Sequence, residues 1–162
     1  MNIKLKGKYL YYLKYKIKCS IGKKGVTKNK KEGDFKTPKG KFKLKFIFYR
    51  KDKIKILKTS LKKIAIKKSM GWCDDIKSKK YNKLISFPFK YSAEKLWRKD
   101  NIYDVAIVLN YNLNPVKKNK GSAIFLHIAK KNYIPTRGCI AINEKDMLSL
   151  IANLKINSAI II

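Results

Sequence analysis

Polar and apolar residues alternate along much of the chain with a period of two, the spacing of strands that bury one face. Tyr15 to Ile21 alternates in this way. In the next such run Phe42, Leu44, Phe46 and Phe48 fall on one side, with Lys43 and Lys45 on the other. Ile54 to Leu57 is a further short strand candidate. Tyr103 to Asn110 and Ser122 to Ala129 are apolar on both faces, which predicts central strands. Two helices are expected. Ser92 is placed to cap a short one through Glu94, Leu96 and Trp97. Asn143 caps a longer one from Glu144 to Leu154, with Asp146 closing a capping-box-like pair and Met147, Leu150, Ile151 and Leu154 on one stripe. Ser158 to Ile162 reads as a closing strand. Between Gly22 and Gly40 the residues turn to Lys, Asn, Gly, Thr and Pro, and a connection that long tends to carry function. The predicted fold is mainly β, a sandwich or mixed sheet with one or two short helices.

Composition narrows the picture. With 162 residues, 45% hydrophobic and 12% aromatic, the chain suffices for one core, so residues 1–162 are expected to form a single domain, a monomer. The 41 Lys+Arg against 10 Asp+Glu give a formal charge of +31, which attracts polyanions without dictating a fold. Only Arg50, Arg98 and Arg137 are arginines, the residues suited to bidentate phosphate and guanine contacts, so specific nucleic-acid readout is not expected. Three cysteines, Cys19, Cys73 and Cys139, exclude a complete disulfide framework in a monomer. One histidine and no Cys-x-x-Cys pair argue against structural zinc. Lysines interrupt the first twenty residues every few positions, so no signal peptide is visible, and no segment approaches the roughly 18 apolar residues of a membrane span.

The single histidine is the first residue that could carry chemistry. His127 lies in the apolar run Ser122-Ala-Ile-Phe-Leu-His-Ile-Ala129, on the face of Ala123 and Phe125, where its ring needs a partner the strand does not supply. Twelve residues on comes Cys139, in Thr136-Arg-Gly-Cys-Ile-Ala-Ile142. If that segment pairs antiparallel with the histidine strand, the thiol returns beside the imidazole. An imidazole partner can lower a thiol pKa of about 8.5 enough to give a standing nucleophile. Gly138 permits a close backbone approach, and N–H groups near Gly138 and Cys139 can face an oxyanion. The ordinary alternatives are a core histidine, a small buried cysteine and a turn glycine.

His127-x11-Cys139 with Thr136-Arg-Gly-Cys-Ile140 resembles the signature of the L,D-transpeptidase catalytic domain (YkuD-type) family, in which a histidine strand precedes Ser/Thr-x-Gly-Cys. Thr37-Pro-Lys-Gly-Lys-Phe42 is similar to the family's Thr-Pro-x-Gly-x-Phe element. Gly71-Trp-Cys-Asp-Asp75, Leu96-Trp-Arg98 and Gly121-Ser-Ala-Ile-Phe-Leu-His127 resemble one branch of it, so the likeness spans roughly residues 17 to 154. It implies an L,D-transpeptidase-like β domain in which Cys139 attacks a peptidoglycan stem tetrapeptide. D-alanine leaves, and the thioester passes to another stem's amine as a 3→3 crosslink. His127 would be the base, Gly138 and Cys139 the oxyanion donors, Thr136 an orienting residue, and the Ile128 carbonyl the imidazole's acceptor. Arg137, Trp72 and Arg98 are candidates for binding the stem peptide. No metal or organic cofactor is required. The substrate implies action in the periplasm or cell envelope. Ile128 stands where many members have glycine, and Ala141 where many have arginine. The alternatives are an L,D-carboxypeptidase or amidase using the same dyad and, in another class, a basic polyanion-binding β domain.

Overall fold

Strand alternation is broken at one place in a way that shapes the whole molecule. The computed structural model describes residues 2–162 and contains fourteen strands and one α-helix. In chain order the strands are β1 (Asn2–Lys6), β2 (Tyr9–Tyr12), β3 (Tyr15–Ser20), β4 (Val26–Thr27), β5 (Thr37–Pro38), β6 (Lys41–Tyr49), β7 (Lys62–Ala65), β8 (Met70–Cys73), β9 (Leu84–Ser86), β10 (Ala93–Lys95), β11 (Val105–Leu109), β12 (Phe125–Ile128) and β13 (Ile140–Ile142). Helix α1 (Glu144–Asn153) and β14 (Ala159–Ile161) follow.

One mixed sheet runs β11-β12-β13-β3-β2-β1-β14-β6-β7, and an added β6–β11 pairing closes it into a barrel-like ring. A second, three-stranded sheet has the order β10-β8-β9. The break lies in β6, the strand shared around the closure. Val108 pairs with Phe46 but Leu109 with Leu44, so Lys45 is an unpaired extra residue, a β-bulge. A bulge reverses the faces that follow it. Phe42 and Leu44 therefore join one apolar cluster, and Phe46 and Phe48 the other, rather than all four sharing a face.

The larger cluster is built from the ring strands, with Ile3, Leu10, Ile47, Ile107, Leu126 and Ile140 fully buried, and it takes in Met147, Leu150, Ile151 and Leu154 of the α1 stripe. Asn143 caps α1 as expected, its side chain accepting from Asp146 N–H at 2.8 Å. The smaller cluster, with Phe48, Trp72, Tyr103 and Phe125, lies on the other face of β11 and β12 and takes in Trp72 and Leu96 from the β8–β10 region. There Trp72 and Phe125 meet edge-to-face at 5.3 Å.

Three expectations need correcting. Residues 93–95 form β10, not a helix: they pair with Gly71–Cys73 of β8, and Ser92 Oγ donates to Asp74 at 2.6 Å rather than capping. Ile54 to Leu57 is not a strand. Ile54 and Leu57 plug the larger core from an irregular segment, and β7 pairs further on. The β12–β13 pairing is parallel, His127 lying opposite Ala141, because the connection first runs beside β3 (Thr136 N–H to the Ile21 carbonyl, 2.9 Å) before entering β13.

Candidate active site

Alternation on β12 and β13 decides what meets in the site. Leu126, Ile128, Ile140 and Ile142 face the larger core, so Phe125 and His127 occupy the opposite face together with Cys139 and Ala141. Since His127 is in register with Ala141, Cys139 is its diagonal neighbour, a relation that separates Cα atoms by about 7 to 8 Å. The parallel pairing thus brings thiol and imidazole to one face, as the expected antiparallel one would have done. Both line a cavity of about 750 Å³ that is walled further by Asp74 and Asp75 just past β8, by Glu94 of β10, and by Thr136 and Arg137.

The thiol is held by backbone. Cys139 Sγ donates to the Ala123 carbonyl at 3.0 Å and accepts from Phe125 N–H at 3.4 Å. Ala123 has a positive φ of 51°, an uncommon conformation for alanine. Its N–H donates to Asn82 Oδ1 at 3.0 Å, and the same oxygen accepts from Trp72 Nε1 at 2.8 Å. Beside it, Thr136 Oγ1 donates to the Cys139 carbonyl at 2.6 Å and accepts from Gly138 N–H at 3.1 Å, so the Gly138 amide is already engaged. Gly138 has φ +145°, and a Cβ there would lie 3.0 Å from the Lys36 carbonyl. Only glycine meets both conditions without strain. Lys36 directly precedes β5, whose Thr37 Oγ1 accepts from Gly22 N–H at 2.9 Å, so the Thr-Pro block and the Gly-Cys block are packed together.

His127 is 7% exposed. Its Nδ1 lies 2.9 Å from the Ile128 carbonyl, which fixes the tautomer with the proton on Nδ1 and leaves Nε2 unprotonated. Tyr103 packs edge-on against the ring at 5.6 Å. Burial pulls the imidazole pKa down to about 4, while burial, reinforced by Glu94, pushes the Cys139 thiol up to about 12. Where an imidazole partner was expected to lower the thiol pKa, burial shifts both groups toward their uncharged forms. Cys19 is buried and likewise pushed up to about 12, and all three thiols are free.

The remaining candidates separate. The Ile128 carbonyl meets the imidazole as the resemblance implies. Arg98 and Arg137 line the cavity, Arg98 bound bidentately to Asp100 and Arg137 lying over the Phe35 ring at 5.7 Å. Trp72 does not line it. Its ring is 4% exposed and packed between Phe48 and Phe125, which makes it a core residue instead of a peptide contact.

Residues 2–162 match the family of the L,D-transpeptidase catalytic domain (YkuD). The chain belongs to that family. Family membership implies an enzyme acting on peptidoglycan. Compared with curated proteins, the chain finds no match. Within the L,D-transpeptidase domain, two site residues, Asn82 and Glu94, escaped the sequence reading. Asn82 ties Trp72 to Ala123, the thiol's acceptor. Tyr103 packs on His127, and its hydroxyl hydrogen-bonds to Glu94, which burial holds above the ordinary carboxylate range. Asn82, Tyr103 and Glu94 come to the site only through tertiary structure. Among the described residues, no group of three or more His, Cys, Asp or Glu side chains is arranged to hold a metal ion, and no helix is long and apolar enough to cross a membrane.

Proposed function

We propose that this L,D-transpeptidase domain works through Cys139 as nucleophile and His127 as base. The observation that carries the reading is that one thiol and one imidazole, each backbone-held on the same sheet face, open into one cavity of about 750 Å³. Cys139 Sγ attacks the carbonyl between the third residue and the terminal D-alanine of a stem tetrapeptide. With a neutral resting pair, the thiol proton passes to His127 Nε2 as the S–C bond forms, and the same proton then goes to the departing D-alanine amine. Nδ1 stays hydrogen-bonded to the Ile128 carbonyl, which stabilises the transient imidazolium. Because Thr136 engages the Gly138 N–H, the Cys139 N–H is the donor left for the oxyanion. The thioester is captured by the side-chain amine of a second stem, forming a 3→3 crosslink. Such a substrate places the work in the cell envelope, whose anionic polymers the +31 chain would attract.

Incubation with disaccharide-tetrapeptide, followed by mass analysis of the products, tests this. The expected product is a dimer that has lost one D-alanine. Tripeptide as the only product would make the enzyme an L,D-carboxypeptidase, and no loss of D-alanine would contradict the reading.

A further inference from the structure

The chain's ten carboxylates are not distributed as its forty-one cations would lead one to expect. Four of them, Asp34, Asp52, Asp100 and Asp104, form ion pairs with Lys30, Arg50, Arg98 and Lys53. Glu144 and Asp146 sit in the first turn of α1, where the helix dipole favours them. The other four, Glu32, Asp74, Asp75 and Glu94, make no ion pair among the described residues, and all four line the cavity that holds Cys139 and His127.

Each of these carboxylates is held by neutral donors. Tyr81 OH donates to Glu32 at 2.5 Å and Ser92 Oγ to Asp74 at 2.6 Å. Asp75 accepts from the Lys77 and Ser92 amides at 2.9 and 3.3 Å, and Glu94 is bonded to the Tyr103 hydroxyl. Neutral donors fix a carboxylate in place without cancelling its charge. Of the cavity's four cations, Lys30 and Arg98 are already paired with Asp34 and Asp100, leaving only Lys130 and Arg137. An independent mark of a ligand is His127, which is nine-tenths buried, lines the same cavity and uses only Nδ1 in a protein hydrogen bond.

We propose that Asp74 and Asp75, just past the end of β8, and Glu94 of β10 form the subsite for the protonated primary amine of the acyl acceptor. The thioester then passes to an amine in preference to water. This rests on the cysteine reading above. In the transfer the S–C bond breaks and an amide N–C bond forms. Of the two protons the ammonium sheds, one returns to Sγ and the other leaves to solvent. Lys130 and Arg137 are left for a carboxylate of the same acceptor.

Two experiments decide it. With protein acylated by tetrapeptide and offered a lysine-bearing tripeptide, the Asp74→Asn/Asp75→Asn variant and Glu94→Gln should each raise the amine KM, lowering the ratio of crosslinked to hydrolysed product by about ten-fold. The loss should be several-fold smaller with hydroxylamine, a neutral nucleophile. An unchanged ratio, or equal losses with both nucleophiles, would overturn the subsite. Titration calorimetry on Cys139→Ala protein needs no turnover. The tripeptide should bind about ten-fold more weakly to protein that also carries Asp74→Asn/Asp75→Asn, and about as much more weakly once its side-chain amine is acetylated. Equal binding in every case would overturn the proposal. A wild type that never forms a thioester would count against Cys139 as nucleophile, while the calorimetry would still decide the subsite.

Discussion

The two faces of β12 and β13 differ in what they ask of their residues. Toward the larger core, Leu126, Ile128, Ile140 and Ile142 are at most 5% exposed and wholly apolar, part of a cluster closed by the α1 stripe. On the opposite face, one residue away in each case, Phe125 and Ala141 alternate with His127 and Cys139, and the packing stops short to leave the cavity. Strand pairing supplies precise placement for both faces, but only one must be filled. The fold places the candidate catalytic groups on the unfilled face of strands whose other face anchors them.

Cutting into the filled face should have the largest effect. Leu126→Ala removes a fully buried side chain and should cost about 2 to 5 kcal/mol in urea unfolding, while leaving the cavity-facing groups in place. On the open face the penalty is electrostatic. His127 titrates near 6.5 when unfolded but is held down to about 4 when folded. The unfolded chain therefore binds the extra proton between these values, so stability is intact above the unfolded pKa and falls as pH drops toward 4. Linkage puts the loss at about 3 kcal/mol. Denaturation of wild type and His127→Gln should converge by that amount as pH is lowered, and parallel curves would mean that the imidazole is not buried neutral. The smallest effect is expected from Thr136→Val, which deletes the hydroxyl between Gly138 N–H and the Cys139 carbonyl and should cost about 1 kcal/mol, read as a small drop in Tm.

Much of this contrast was legible in the sequence. Period-two spacing marked β3 and β6, continuous apolar runs marked β11 and β12, and Asn143 with Asp146 marked α1. His127 and Cys139 were recognisable as candidates, and the fold brings both to one cavity. What stayed hidden depends on distant partners. The direction of β13 is set by the Thr136–Ile21 bond, not by the length of the connection. The Ser92 cap signal yields to pairing with β8, and the Lys45 bulge is invisible until β11 lies against β6. Burial likewise reversed the expected thiol shift, because a sequence shows neighbours in the chain but not the apolar walls that strand pairing builds around them.

Intact-mass spectrometry during turnover tests the central claim most directly. Wild-type protein mixed with a stem tetrapeptide should gain the mass of the peptide less D-alanine, as a hydroxylamine-labile adduct mapping to Cys139, and Cys139→Ala should gain nothing. An adduct on another residue, or one of equal yield on Cys139→Ala, would contradict the account.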